Sequence, residues 1–357
     1  MGEIRLMKGN EALAEAMIRA GCDAYFGYPI TPQSEVLEYL SIDATKRTGM
    51  VVLQAESEVA AINMIYGAAA AGKRVMTTSS SPGISLMQEG LSYIAGAELP
   101  CVLCNVNRGG PGLGTIQPSQ ADYFQTVKGG GHGDYHLIVL APSSVQEMVD
   151  FVKLGFELGE KYRNPVMILA DGAIGQMMEK VELFDLIPRK TDAPDWATTG
   201  KPKGKERRYI TSLFIQPEKM EQINLGLQKK YREIEAKEVL YQTMNTEDAE
   251  YLFTGYGLGA RICMKAMELG REKGYKIGLV RPRTLYPFPY QVYFDLAPQL
   301  KGILDVEMNA GQMVEDVRLA VNGKTRVEFY GRMGGMIPSP EEILESFEKF
   351  YIEGGLK

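Results

Sequence analysis

Stretches with apolar residues every three or four positions alternate along the chain with short runs of consecutive apolar residues. Up to about residue 184 this pattern predicts helices over 10–20, 34–46, 57–71, 82–95 and 145–158. It predicts strands over 23–28, 50–53, 74–78, 101–106, 137–140 and 166–170. Apolar strands separated by helices are the pattern of a parallel sheet covered by helices on both faces, so the fold class is α/β. Residues 188–247 differ: the stretch KTDAPDWATTGKPKGKERRY is charged and punctuated by proline, and a charged helical pattern over 218–237 follows it. The alternation then resumes, with strands over 251–254, 277–280, 302–307 and 327–330 and helices over 258–273, 291–296 and 311–321. The expected organisation is a first α/β domain over 1–187, a charged linker and helix over 188–247, and a smaller α/β domain over 248–357. No internal repeat is evident.

The unusual residues of the first domain fall just after its strands. The first strand runs into GYPITPQSE, where each proline fixes its own φ and pushes Tyr28 and Thr31 towards extended geometry. Thr31 is expected to cap the next helix, with Pro32 at its first position. This stretch reads either as plain strand-to-helix punctuation or as a hydroxyl and a helix N-terminus aimed at a ligand. Ser79-Ser80-Ser81-Pro82-Gly83 follows the strand over 74–78, and Asn107-Arg108-Gly109-Gly110-Pro111-Gly112-Leu113-Gly114-Thr115 follows the strand over 101–106. In open α/β sheets ligands bind beyond the carboxyl ends of the strands, so the three loops point to one edge. Arg108 is their only cation, and the glycines after it, Gly109 first, allow a backbone to approach a ligand closely. Its guanidinium suits a carboxylate, or it is a surface arginine paired with a nearby acid. The helix over 57–71 is apolar or small on nearly every face and is expected to be buried, yet Glu56 and Glu58 stand at its start. A glutamate there complements the helix dipole. A buried one is also the kind of carboxyl that shares a proton with a ligand nitrogen.

Composition narrows the function classes. The 357 residues are 45% hydrophobic and 24% charged, as expected for a globular chain with a sizeable core. A net charge of −6 with no basic patch argues against nucleic acid as a partner. The N-terminus has no apolar signal core, and Leu6 occupies the position where a myristoylation pattern has Ser or Thr. The longest charge-free apolar run, 59–72, is too short to span a bilayer. No membrane association and a cytoplasmic location are expected. Among the four cysteines, Cys101 and Cys104 form a C-x-x-C inside a buried strand, where residues three apart face opposite ways. With Cys22 and Cys263 they are expected to be core residues. His132 and His136 lack companion ligands, so no metal site of the chain's own is expected. Gly255-Tyr256-Gly257-Leu258-Gly259-Ala260 matches a dinucleotide fingerprint. The next strand, however, ends in Arg281-Pro282-Arg283 with no acid for a ribose, so an NADP-linked dehydrogenase is the form of that rival that survives.

With YPITP, the ESE-opened Ala/Gly helix, NRGGPG and RPRTLYPFP in order along the chain, the sequence resembles the α-type subunit of 2-oxoacid:ferredoxin oxidoreductases. The resemblance covers both domains and is strongest to the branched-chain, 3-methyl-2-oxobutanoate enzymes, with 2-oxoglutarate enzymes next and pyruvate as a further alternative. It implies a pyrimidine-type thiamine-diphosphate domain followed by a smaller domain like the C-terminal domain of transketolase. It implies thiamine-dependent, CoA-dependent oxidative decarboxylation of a 2-oxoacid to acyl-CoA and CO2, with reduction of ferredoxin. By the resemblance Glu58 hydrogen-bonds the aminopyrimidine ring and promotes the tautomer that activates the thiazolium carbon. Thr31 lies near cofactor and substrate, with Tyr28 and Ser80 on the cofactor side. Arg108 receives the 2-oxoacid carboxylate, with Ile30 and Gly109 beside it. The cofactor would lie between subunits: a β-type subunit brings the diphosphate site and Mg²⁺, a ferredoxin-like subunit the [4Fe–4S] clusters, and a γ-type subunit completes the assembly. The chain's nearest approach to a G-D-G diphosphate motif is Ala170-Asp171-Gly172, with no Asn after it until Asn224. No second cation near Arg108 is evident for a distal carboxylate, whereas Tyr28, Ile30 and Leu113 offer apolar surface, which favours a branched-chain acid. A non-catalytic scaffold that kept the fold is the remaining alternative.

Overall fold

A computed structural model describes residues 3–201, 204 and 206–354. The absence of a targeting or lipidation signal was read partly from Met1 and Gly2, and part of the charged linker falls at 202, 203 and 205; these lie outside the described residues.

The first unit runs β1 Glu3–Lys8, α1 Gly9–Arg19, β2 Ala24–Gly27, α2 Ser34–Thr48, β3 Val51–Gln54, α3 Glu58–Ala70, β4 Val75–Ser79, α4 Ser81–Gly96, β5 Cys101–Asn107, α5 Tyr123–Val127, β6 Ile138–Leu140, α6 Val145–Tyr162, β7 Pro165–Asp171, α7 Gly172–Gln176 and β8 Met178–Leu183. The chain continues through α8 Pro217–Lys237, β9 Tyr241–Met244, β10 Tyr251–Thr254, α9 Gly257–Glu272, β11 Ile277–Pro282, β12 Thr284–Tyr286, α10 Tyr290–Leu296, β13 Gly302–Glu307, α11 Met313–Val321, β14 Val327–Gly331 and α12 Pro340–Phe347. Seven strands form the large sheet in the order β12-β6-β7-β5-β4-β2-β3, parallel except for β12. Helices α1, α2 and α6 pack together as one layer and α3 with α4 as another. The second sheet, β14-β13-β10-β11-β9, is parallel except for β9. Among the described residues no helix is long and apolar enough to cross a membrane.

Four strands, β1, β8, β9 and β12, escape the hydrophobic pattern, each for a physical reason. In β1, Ile4 and Leu6 point outward and are exposed, and the strand is recruited by antiparallel pairing with β8 more than 170 residues away. Strand β9 lies inside the segment that reads as linker and joins the second sheet through β11. Strand β12 has three residues between prolines, and it leaves the second unit to pair with β6 of the first.

The two units share their interior. One continuous core of buried side chains runs from Leu13 and Val102 through Phe151 and Leu169 to Leu252, Val280, Leu285 and Ile303. A smaller cluster around Phe253, Leu279, Leu304 and Phe347 fills the other face of the second sheet.

The RPR run works as a clamp within the fold. Arg281 donates to both carboxylate oxygens of Glu147 at 2.7 and 2.8 Å and to Ser143 Oγ at 2.7 Å, and Arg283 Nε reaches Glu147 at 3.0 Å. Burial pushes the Glu147 carboxyl up, but its bonds to Arg281 outweigh this and hold it below the ordinary range. Glu147→Gln leaves a buried guanidinium without its counter-charge, which costs about 3–5 kcal/mol. The expected result is a lowered thermal midpoint. Because the folded carboxyl is the stronger acid, the wild-type clamp contributes fully at neutral pH and is lost on acidification below about pH 4. The difference in stability between wild type and variant should therefore shrink across that range.

Candidate active site

Strands β3, β2, β4 and β5 are parallel neighbours, so their carboxyl ends deliver four joints to one edge of the large sheet. These joints carry Tyr28 to Gln33, Glu56 to Glu58, Ser80 and the loop from Arg108 to Pro118.

Thr31 is not the cap of α2, and Pro32 is not its first residue. The helix starts at Ser34 behind Gln33, without a side-chain cap bond. The backbone there has other partners: the Thr31 carbonyl accepts Arg108 Nη1 at 2.8 Å, and the Pro32 carbonyl accepts Asn10 Nδ2 at 2.7 Å and Gln176 Nε2 at 3.1 Å. Side chains from three other elements thus hold the proline turn open, and the Thr31 side chain faces solvent. Beneath it Tyr25 donates to Thr78 Oγ1 at 2.7 Å, and Thr78 donates to Gln33 Oε1, a buried chain that fixes where the turn enters the helix.

Glu58 is the first residue of α3, behind Ser57, whose hydroxyl caps the helix by accepting from Ala60 N at 3.2 Å. It is 5% exposed, and its carboxylate has no hydrogen-bond partner among the described residues. It lies against Gly83 in the first turn of α4: a Cβ on Gly83 would stand 2.4 Å from Glu58 Oε1 and 2.1 Å from Ser79 Oγ. Ser79 Oγ and Ser80 Oγ are buried without partners as well. An unpaired carboxylate on a residue only 5% exposed, with the unpaired hydroxyl of Ser79 against it, is what a candidate ligand position needs, because such groups cost free energy unless something bonds them.

Arg108 follows β5 and is 9% exposed. No carboxylate lies within ion-pair reach of it among the described residues, which removes the reading as a surface arginine paired with an acid. Its donors go instead to the carbonyls of Thr31 and, at 3.2 Å, Leu113, and Nε has no partner. The guanidinium is held in place with three N–H groups still free, the arrangement that accepts a carboxylate edge-on. Ser81 Oγ ties this group to Glu58's side of the edge, accepting from Arg108 N and donating to Asn107 Oδ1, each at 3.1 Å.

The structure therefore joins Thr31 to Arg108 and Glu58 to the Ser79–Ser80 joint. Tyr28 and Ile30 sit on the same turn as Thr31, and Gly109 continues from Arg108, with its N–H on Gln117 O. The sequence placed Ser79 and Gly83 in the loop after the strand over 74–78 but gave neither a role; only the packing of α4 on α3 shows that a glycine is needed there. A cavity of about 230 Å³ lies elsewhere, at the amino ends of the strands, between residues such as Asp23, Arg74, Glu160 and Trp196. Arg74 and Lys190 there both pair with Glu160.

Comparison with known proteins decides the family. A model described as pyruvate flavodoxin/ferredoxin oxidoreductase, thiamine diphosphate-binding, matches residues 15–249, and one for core domain II of pyruvate:ferredoxin oxidoreductase matches 249–343. The chain belongs to the 2-oxoacid:ferredoxin oxidoreductase family. It is 48% identical to the ketoisovalerate oxidoreductase subunit VorB of Methanothermobacter marburgensis, covering 97% of each. Among solved structures it resembles the 2-oxoglutarate:ferredoxin oxidoreductase of Magnetococcus marinus, solved with 2-oxoglutarate, coenzyme A and succinyl-CoA bound. That match has a TM-score of 0.86 and 28% identity, and covers 97% of this chain and 65% of that one. A split-gene transketolase shares the fold at a TM-score of 0.60 and 12% identity.

In this 2-oxoacid:ferredoxin oxidoreductase subunit the rival dinucleotide site is filled by the protein itself. Asp171 accepts the backbone N–H groups of Ala173 and Ile174, and of Leu258 at the start of α9, where a diphosphate would have to sit. Burial raises its carboxyl to about 6, with those N–H groups pulling the other way. A Cβ on Gly255 or Gly259 would meet Val306 O at 2.9 or 3.0 Å, so these glycines serve packing between α9 and β13. The four cysteines are buried thiols, and burial raises Cys101 to about 12. Among the described residues no group of three or more His, Cys, Asp or Glu is placed to hold a metal ion.

The role of Gly83 is testable. Alanine is the better helix former by about 1 kcal/mol, yet its methyl group must displace Glu58 or Ser79. Gly83→Ala is expected to keep the helical circular dichroism of the chain and to lower turnover of the assembled enzyme by at least about 10²-fold.

Proposed function

We propose that the chain is the α-type subunit of an oxidoreductase that converts a branched-chain 2-oxoacid, 3-methyl-2-oxobutanoate, with coenzyme A to acyl-CoA and CO2 while reducing ferredoxin in the cytoplasm. The observation that carries the reading is Glu58, a carboxylate without a hydrogen-bond partner among the described residues at the carboxyl edge of the sheet, beside the unpaired hydroxyl of Ser79. The edge fits the pyrimidine side of thiamine diphosphate, with Glu58, Ser79 and Ser80 holding the ring and Tyr28 and Thr31 bordering it. Bound thiamine diphosphate supplies the carbon nucleophile and electron sink that decarboxylation of a 2-oxoacid needs. Glu58 Oε1 or Oε2 shares a proton with a ring nitrogen, and its burial keeps water from competing for that proton. Arg108 takes the substrate carboxylate on its free N–H groups, next to Thr31, Ile30 and Gly109.

The chain lacks a G-D-G joint with a following Asn, and Asp171 of its nearest match is spent on backbone N–H groups. The diphosphate and Mg²⁺ therefore belong to a β-type partner. Its dispersed, buried thiols do not fit [4Fe–4S] ligation, so those clusters belong to a ferredoxin-like partner, and a γ-type subunit completes the complex. The substrate follows the ketoisovalerate-acting relative. A 2-oxoglutarate specificity, as in the solved relative, needs a second cation, and Arg108 is the only one in the loops at this edge.

Two substitutions test the roles separately in the assembled complex. Glu58→Gln keeps the shape and loses the acid; assembly should persist while turnover falls by roughly 10²–10⁴-fold, measured as 2-oxoacid-dependent reduction of ferredoxin. Near-normal turnover removes Glu58 from catalysis. Arg108→Ala should raise KM for every 2-oxoacid, by a loss of roughly 1.5–3 kcal/mol, with thiamine diphosphate affinity almost unchanged; Arg108→Lys should recover only part. A collapse of cofactor affinity with an unmoved KM assigns Arg108 to the cofactor or the subunit interface.

A further inference from the structure

The second unit reaches the site through one loop, 332–337, between β14 and α12. Its backbone lies directly on the Arg108 loop: a Cβ on Gly109 would be 3.0 Å from both Gly334 C and Gly335 N, and one on Gly335 would be 2.5 Å from Gln117 Cβ. Gly334 and Gly335 both have positive φ, 65° and 94°, so the loop presents backbone at this contact and turns its side chains elsewhere. Those side chains are Met333, Met336 and Ile337, which are 61%, 53% and 42% exposed. On the Arg108 loop Leu113 and Ile116 are exposed too, and Leu113 O is bonded to the Arg108 guanidinium. Five large apolar side chains thus stand exposed on two loops whose backbones touch at Gly109 and Gly335, a concentration that marks a place where apolar surface is to be covered.

The charges at this place sharpen the choice of what covers it. Arg332 is the loop's only cation, and its guanidinium is bound to Glu342 in α12. Its backbone N–H is tied to Glu307 O at 3.2 Å, which fixes the loop to the end of β13. A substrate whose carboxylate lies on Arg108 therefore finds no free cation in this loop for a second carboxylate, only thioether and aliphatic surface. Methionine adapts to branched shapes.

We propose that the 332–337 loop, with Met336 at its centre, forms the apolar wall that receives the aliphatic end of the 2-oxoacid and so sets chain-type specificity. The proposal rests on the 2-oxoacid reading of the site above. It gives the second unit a direct part in substrate choice.

The test is a comparison of kcat/KM for 3-methyl-2-oxobutanoate, pyruvate and 2-oxoglutarate in the assembled complex, for wild type, Met333→Ala, Met336→Ala and Met336→Lys. Pyruvate shares the carboxylate and oxo groups but has almost no aliphatic end, so a ratio isolates the wall. Met333→Ala or Met336→Ala should lower the ratio of 3-methyl-2-oxobutanoate to pyruvate roughly tenfold. Met336→Lys should raise the ratio of 2-oxoglutarate to 3-methyl-2-oxobutanoate by at least as much. Unchanged ratios in an active complex overturn the proposal alone. An equal loss on all three substrates, with partner subunits lost on size-exclusion chromatography, overturns it in favour of a subunit contact. A wild-type complex that turns over no 2-oxoacid overturns the parent reading and this proposal with it.

Discussion

The position of Arg108 depends on a buried glutamine twelve residues further along the chain. Gln120 lies between the two units with every polar group bonded across the boundary. Its side chain donates to Tyr256 O at 2.7 Å and accepts from Met308 N at 2.9 Å. Its backbone N–H donates to Met308 O at 3.0 Å, and its carbonyl accepts from Tyr256 Oη at 2.9 Å and Asn309 Nδ2 at 2.8 Å. Inside a protein such a bond set is rigid because each broken bond leaves a buried group unpaired, at about 1–3 kcal/mol. The Arg108 loop thus has two fixed ends, the terminus of β5 and Gln120, and the second owes its position to the other unit.

The second unit is therefore a mould for the first. Tyr123 donates to Asp316 at 2.6 Å, and Gln312 bonds both Phe124 N and Ala121 O, extending the seam past Gln120. The Arg281–Glu147 clamp and the crossing of β12 close the opposite side. With a shared core, the two units form one frame, and at the carboxyl edge of the large sheet Ser79 Oγ, Ser80 Oγ and Arg108 Nε are left without partners.

The same logic separates two glycine-rich joints that look alike in sequence. At Gly83 the missing side chain leaves room for a carboxylate that has no partner. At Gly255 and Gly259 it leaves room for the backbone of β13, and the helix N-terminus is already bonded to Asp171. Glycine reports a close approach in both cases. What approaches is decided by groups distant in the chain.

The alternation of helical and strand-like runs was enough to place the parallel strands and the edge to which the three loops run, because apolar periodicity is a local property of the chain. The candidate residues Thr31, Glu58, Ser80 and Arg108 were legible for the same reason: each follows a strand, and a hydroxyl, acid or arginine there stands out from the apolar run before it. Strands β1, β8, β9 and β12 were not legible, since they are short or turn apolar residues outward and exist only through partners remote in sequence. The capping role expected of Thr31 failed because the carbonyls of the proline turn are claimed by Asn10, Arg108 and Gln176, which no local pattern could place. Tertiary structure alone decided that Glu58 has no partner, that Gly83 makes room for it, and that the backbone of Gly334 and Gly335 in the second unit lies against Gly109. Periodicity is written into neighbouring residues, whereas the unpaired charge, the close approach and the shared wall arise only where distant segments are brought together by packing.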